Sequence, residues 1–396
     1  MTPRARAAAM IEADCLAADP AIWITRRDDA AILAEAAALE AEGPRGRPLW
    51  GLPVAVKDNI DVAGLPTTAA CPGFAYHPAA DAPAVARLRA AGALIVGKTN
   101  LDQFAAGLVG CRSPYGVPRN RFDPARVPGG SSSGSAAAVA AGIVPLALGT
   151  DTAGSGRVPA MFGNIVGLKP TLGSIPATGV VPACRSLDTV SVFAETVDLA
   201  LAAARVLAGP DGADPYARPP PFAHLRRPAA APLRLATFPP AACAPPLAAF
   251  HRALAARLGA ETIDPAPYLA LARLLYEGPW LAERAAALRP LLTERPEILH
   301  PTTRAILAPG LALAAADAFE GFHRRAAVLA ELGRLFRRYD ALLLPTAPGT
   351  PRLADLAADP LGPNAWLGTY TNFVNLCDLA GWAVPAGFAG GLPAGV

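Results

Sequence analysis

Apolar positions along the chain fall into two alternating rhythms. Residues 28–42 (DDAAILAEAAALEAE) carry apolar side chains at helical spacing behind acidic residues that suit a helix N-terminus, which predicts a helix. Residues 52–56 (LPVAV) form a strand-like run that stops at Lys57-Asp58-Asn59. A second helix is predicted over 82–91 and ended by Gly92. A short buried strand over 93–96 then leads into Gly97-Lys98-Thr99-Asn100. Strands and helices alternating in this way predict an α/β fold, a sheet flanked by helices.

The segment 129–173 differs in kind. The Gly/Ser turn GGSSSGS at 129–135 precedes a small-residue helix over 136–141 and a strand over 145–148. A second turn, GTDTAGSGR at 149–157, follows, and GLKPT at 167–171 closes the block. Two such turns separated by one helix and one strand can fold back to face each other. Further on, 209–232 is dense in Pro, Gly and Ala and predicts a surface connection. Residues 245–340 are mostly helical in pattern, 341–344 predict another buried strand, and the closing GGLPAGV predicts the start of a strand.

Composition narrows the class. The 396 residues are 53% hydrophobic and 17% charged, enough apolar material for a packed core. A formal charge of +3 is too weak to point to nucleic acid or a membrane surface, and no apolar run reaches the ~18 residues of a membrane span. Six cysteines without a CxxC pair read as free thiols of a cytoplasmic protein, and five histidines show no metal spacing. No cofactor, metal, nucleic acid or membrane is therefore expected, and the partner expected is a small-molecule substrate.

Among 35 basic residues only Lys57, Lys98 and Lys169 are lysine. Arginine stays charged in proteins, whereas a buried lysine readily loses its proton. A lysine kept against the arginine bias is thus a candidate for proton chemistry, although Lys98 and Lys169 also read as structural, with Lys98 in reach of Asp102. Residues 92–99 match the letters of a phosphate-binding loop, but 93–96 is an apolar strand where that loop must be flexible. A disordered Ser/Gly linker is contradicted by continuously apolar flanks. Nucleophilic acyl transfer fits better. A serine needs a base, and the oxyanion needs converging N–H donors, which a Gly-rich turn before Ser155 can supply. His77 and His224 lie in Pro-bounded segments, so Lys57, at the end of an apolar strand, is the candidate base, with a second serine as relay.

The four ordered motifs GLPVAVKDNIDVAGLPTT from Gly51, GGSSSGSAAAVAAG at 129–142, GTDTAGSGRVPA at 149–160 and GLKPT at 167–171 resemble the amidase signature family. That resemblance implies a large mixed β-sheet covered on both faces by helices and a Ser–cis-Ser–Lys triad. By position, Ser155 would be the nucleophile, Ser131 the relay after a cis peptide, and Lys57 the base. Backbone amides of Thr152, Ala153, Gly154 and Ser155 would form the oxyanion hole, with Asp151 and Arg157 bracing the loop. Segments such as KTNLDQFAAGLVGCRSPYG at 98–116 and YEGPWLAER at 276–284 resemble the allophanate-hydrolysing branch, which implies a small urea carboxylate as substrate. Tyr276 and Arg284 would then bind it; read from the residues alone, Tyr276 is a core aromatic and Arg284 pairs with Glu283 or Glu277. A broader amidase, a glutamine-hydrolysing amidotransferase of the same family and a catalytically silent binding protein are the alternatives, and a homodimer is compatible with each. The family continues past GLPxGV into a further strand and helix, so the resemblance also implies a single amidase domain truncated at its C-terminus, with an exposed sheet edge.

Overall fold

Six strands, all but the half-buried first buried on both faces, form the main sheet's body in a computed structural model that describes residues 1–219 and 232–396. They are β1 (Trp23–Arg26), β2 (Pro53–Lys57), β3 (Leu94–Thr99), β4 (Leu146–Asp151), β5 (Val166–Lys169) and β6 (Thr189–Ala194). A parallel three-stranded sheet adds β7 (Leu235–Thr237), β8 (Glu261–Thr262) and β9 (Ala341–Leu343) in the order β8-β7-β9. Strand β10 (Gly381–Ala383) completes a seven-stranded sheet of order β1-β3-β2-β4-β6-β5-β10, and β11 (Pro385–Ala389) pairs with β12 (Leu392–Gly395) as a hairpin. At the centre, β2 runs parallel to both β3 and β4, whereas β4 and β6 are antiparallel. The sheet is therefore mixed, as expected.

Side-chain alternation along the strands builds two cores. On one face Val54, Val56, Ile95, Leu146 and Leu148 pack under the helices α3 (Pro83–Ala90) and α6 (Val197–Leu207). On the other, Ala55, Leu94, Val96 and Ala147 meet α1 (Pro3–Ala17), α2 (Asp29–Glu42) and α4 (Ser133–Ala140). Helix α4 has small side chains because it lies close to its neighbours: a Cβ on Gly134 would come within 2.3 Å of the Ile22 carbonyl oxygen. Three more helices matter later: α5 (Val158–Gly163), just after β4, and the pair α8 (Ala266–Glu277) and α9 (Pro279–Ala287), which follow α7 (Pro245–Arg257). Among the described residues no single helix is long and apolar enough to cross a membrane.

One expectation is modified. Strand β9 is half-buried rather than buried, because it is an edge of the small sheet. Of the surface connection expected over 209–232, residues 220–231 lie outside the described residues.

Candidate active site

The face of β2 that carries Ala55 also carries Lys57, and α4 packs there, so the turn leading into α4 is brought over the lysine. Lys57 Nζ lies 2.7 Å from Ser131 Oγ and 2.8 Å from Thr150 Oγ1. All three residues are buried, and no carboxylate pairs with the amine among the described residues. Burial pushes the lysine down to about 7, against the pull of Asp102, Asp151 and Asp188. At neutral pH a large share of Lys57 is thus an uncharged amine able to accept a proton.

Ser131 follows Gly130 across a cis peptide bond. A Cβ on Gly130 would fall 2.2 Å from Asp102 Oδ2 and 2.4 Å from the Gly110 nitrogen, so only glycine fits. Asp102 organises this corner. Its N–H donates to the Ser131 carbonyl, and its carboxylate accepts from the N–H groups of Gly110 and Arg112.

The second turn is a strand–turn–helix junction between β4 and α5. Asp151 ends the strand, and its carboxylate accepts from Gly154 N at 2.9 Å, Gly156 N at 3.0 Å and the Arg157 guanidinium at 2.9 and 3.0 Å. Burial works to raise the Asp151 carboxyl, but Arg157 outweighs it and holds the group below its ordinary value. Arg157 also donates to the Thr371 carbonyl and Asn375 Oδ1, and Asn375 Nδ2 donates to the Asp151 carbonyl. The loop is thereby fixed from behind. Replacing Arg157 by Met leaves Asp151 ionised and buried without its countercharge. The expected loss is about 3–5 kcal/mol of folding stability, read as a lower urea midpoint.

Ser155 Oγ donates to the Gly107 carbonyl at 3.3 Å, a long bond that holds the hydroxyl loosely. Among the described residues it makes no hydrogen bond to Ser131. Their turns nevertheless meet: Ser132 Oγ donates to the Thr150 carbonyl at 3.2 Å and accepts from the Thr150 N–H at 3.4 Å. The expected oxyanion set also changes. Gly154 N–H is taken by Asp151, whereas the N–H groups of Thr152, Ala153 and Ser155 have no acceptor among the described residues. Gly154 retains a conformational role, with φ at +140° and room for no Cβ against Thr371.

A further carboxylate links this loop to α9. Asp188 accepts from Thr152 Oγ1 at 2.5 Å and from the N–H groups of Ala183 and Cys184. Beyond Cys184 stands Glu283, which accepts from Ser186 N at 2.7 Å and Ser186 Oγ at 2.6 Å. Glu283 therefore does not pair with Arg284, nor does Glu277. Arg284 is 1% exposed, its guanidinium lies 4.6 Å over the Tyr276 ring, and its Nε and Nη2 have no partner among the described residues. An arginine in that state is a ready receptor for an anion.

The other two lysines take structural places. Lys98 donates to Pro66 O and Thr67 Oγ1 and pairs with Asp58 at 3.3 Å, not with Asp102. Pairing of Lys98 with Val56 sets it on the face of Asp58, two residues on. Lys169 Nζ donates to the carbonyls of Pro170 and Leu379. Sequence reasoning missed Thr150, Asn59, Asp188 and Asn375, and it met Asp102 only as a neighbour of Lys98. Asp188 and Asn375 are lone polar residues without a spacing pattern, whereas Thr150 and Asn59 sit inside the quoted motifs with nothing local to mark them as partners of Lys57.

Known proteins agree with this architecture. The family model described as Amidase matches residues 13–396. A urea amidolyase of Lachancea kluyveri is 47% identical over 392 residues, covering 96% of this chain and 21% of that protein, so the chain spans about a fifth of that relative's length. A glutamyl-tRNA(Gln) amidotransferase chain of Thermus thermophilus is 38% identical over 395 residues, covering 90% of this chain and 82% of that one. The structure of Kluyveromyces lactis allophanate hydrolase superposes with a TM-score of 0.88 at 43% identity, over 100% of this chain and 67% of that chain. The chain belongs to the Amidase family.

Proposed function

We propose that this chain hydrolyses the terminal amide of allophanate through an acyl-enzyme on Ser155. The observation that carries the proposal is the buried Lys57 amine, held by hydroxyls alone and 2.7 Å from Ser131. Ser155 Oγ turns from the Gly107 carbonyl toward Ser131 and attacks the carbamoyl carbon while its proton passes through Ser131 to Lys57. The free N–H groups of Thr152, Ala153 and Ser155 receive the oxyanion. The C–N bond then breaks, and the proton on Lys57 returns through Ser131 to the departing nitrogen, which leaves as ammonia. Water, deprotonated along the same path, attacks the ester carbonyl, frees Ser155 and gives the dicarboxylated amine.

Two features support allophanate among amides. The unpartnered Arg284 nitrogens suit the substrate carboxylate, and Tyr276, stacked on that guanidinium, has a phenol able to bond the urea group. The relatives named urea amidolyase and allophanate hydrolase support the same choice. The test is ammonia release by the purified chain from allophanate, butyramide and glutamine assayed side by side. Clear preference for allophanate is expected. Turnover of glutamine with none of allophanate would overturn the reading in favour of an amidotransferase-type glutaminase.

A further inference from the structure

Lys57 Nζ has two hydroxyl neighbours, and only one of them belongs to the proton path just described. The other is Thr150 Oγ1, 2% exposed at the residue level and 2.8 Å away on the adjacent strand β4. A neutral amine has two N–H bonds and one lone pair. If Thr150 donated into that lone pair, Ser131 could pass no proton to the nitrogen.

One of the two Thr150 Oγ1 lone pairs already has a donor, which leaves the other for a Lys57 N–H. Asn59 Nδ2 donates to the same Oγ1 at 3.3 Å, and also to the Val181 carbonyl at 3.4 Å. Because a carbonyl can only accept, the second contact fixes the Asn59 amide with its nitrogen toward Thr150. The Thr150 main chain is held separately, by Ser132 Oγ on both its N–H and its carbonyl. Once protonated, Lys57 has no lone pair, and Thr150 must accept. A Thr150 oxygen that accepts in both states needs no rearrangement when the proton arrives, which is preorganisation in its simplest form.

Resting on the triad reading above, we infer that Thr150, oriented by Asn59, is a positioning residue. It accepts one Lys57 N–H and thereby turns the nitrogen lone pair toward Ser131. It also supplies one of the two side-chain acceptors that the ammonium finds among the described residues.

Thr150→Val keeps the β-branched shape and the main-chain bonds to Ser132 but removes the acceptor. The charged groups acting on Lys57 are Asp102, Asp151 and Asp188, and all three stay in place. Loss of an acceptor penalises the ammonium, so the acidic limb of the pH–rate profile moves to lower pH, by about one unit. Turnover at the pH optimum drops by about 10- to 100-fold. Thr150→Ser, which retains the hydroxyl, restores the wild-type limb. The same profile is read without substrate from the rate at which a fluorophosphonate labels Ser155 across pH, and Thr150→Ala is read the same way if the valine variant does not fold. A limb that stays at the wild-type pH in Thr150→Val or Thr150→Ala overturns the inference, as does a serine variant that behaves like valine. Ser155→Ala run alongside separates the two levels: continued turnover there removes the triad itself, whatever Thr150 does.

Discussion

Replacing Lys57 by Met abolishes ammonia release, with a loss of at least about 1,000-fold, and Ser155→Ala does the same. The size follows from the site's construction. Ser155 has no histidine or carboxylate base within hydrogen-bonding reach among the described residues; its one hydrogen-bond partner is the Gly107 carbonyl. Among the described residues, the basic group held against a serine in this cleft is Lys57, on Ser131. Removing the amine leaves a hydroxyl of ordinary acidity facing the substrate, so attack fails before the oxyanion amides can help. Because the two residues act as one unit, Lys57→Met combined with Ser155→Ala is no worse than either alone.

The pH dependence has a defined sign. Lys57 works as a base only when neutral, and burial sets its titration near 7. Activity therefore falls as pH drops through about 7 and levels off above it, with the same limb in fluorophosphonate labelling of Ser155. A flat profile between pH 5.5 and 8.5 would show that Lys57 is not the group whose ionisation controls attack. Acid loss of activity must be separated from acid unfolding, which circular dichroism over the same range does.

How much of this was legible beforehand depends on where each contact comes from. Strands β2, β3 and β4 are buried on both faces, so their sequences open as apolar runs that give way to polar residues at Lys57, Lys98 and Thr150. The Gly/Ser turns are equally visible, since close approach at Gly130 and the unusual φ of Gly154 exclude other residues. The polar frame behind the turns is another matter. Asn375 reaches Asp151 across 224 residues, and Asp188 reaches Thr152 across 36, with no local pattern to announce either. Which amides of the nucleophile loop remain free was also hidden, because it depends on Asp151 folding back onto Gly154. Lys98 illustrates the same limit from the other side: its partner is set by the register between β2 and β3, not by nearness in sequence to Asp102.

Arg284→Met separates substrate choice from catalysis. Its guanidinium is buried with Nε and Nη2 unpartnered among the described residues, and Asp188 and Glu283 act on it without a hydrogen bond, so both nitrogens are open to an anion. Glu283, the neighbour that could have neutralised it, is held away by both the N–H and the hydroxyl of Ser186. With allophanate, whose carboxylate would complete a charge-assisted pair, kcat/KM falls by about 100-fold, mostly through KM. With butyramide, which has no carboxylate, the same variant loses less than about threefold, because Lys57, Ser131 and Ser155 are untouched. Lysine at 284 is a weaker rescue than its charge suggests, since an ammonium cannot both lie flat on the Tyr276 ring and fork a carboxylate. Equal losses on the two substrates would place the Arg284 effect in the architecture of α8 and α9 and would remove the carboxylate from the recognition scheme.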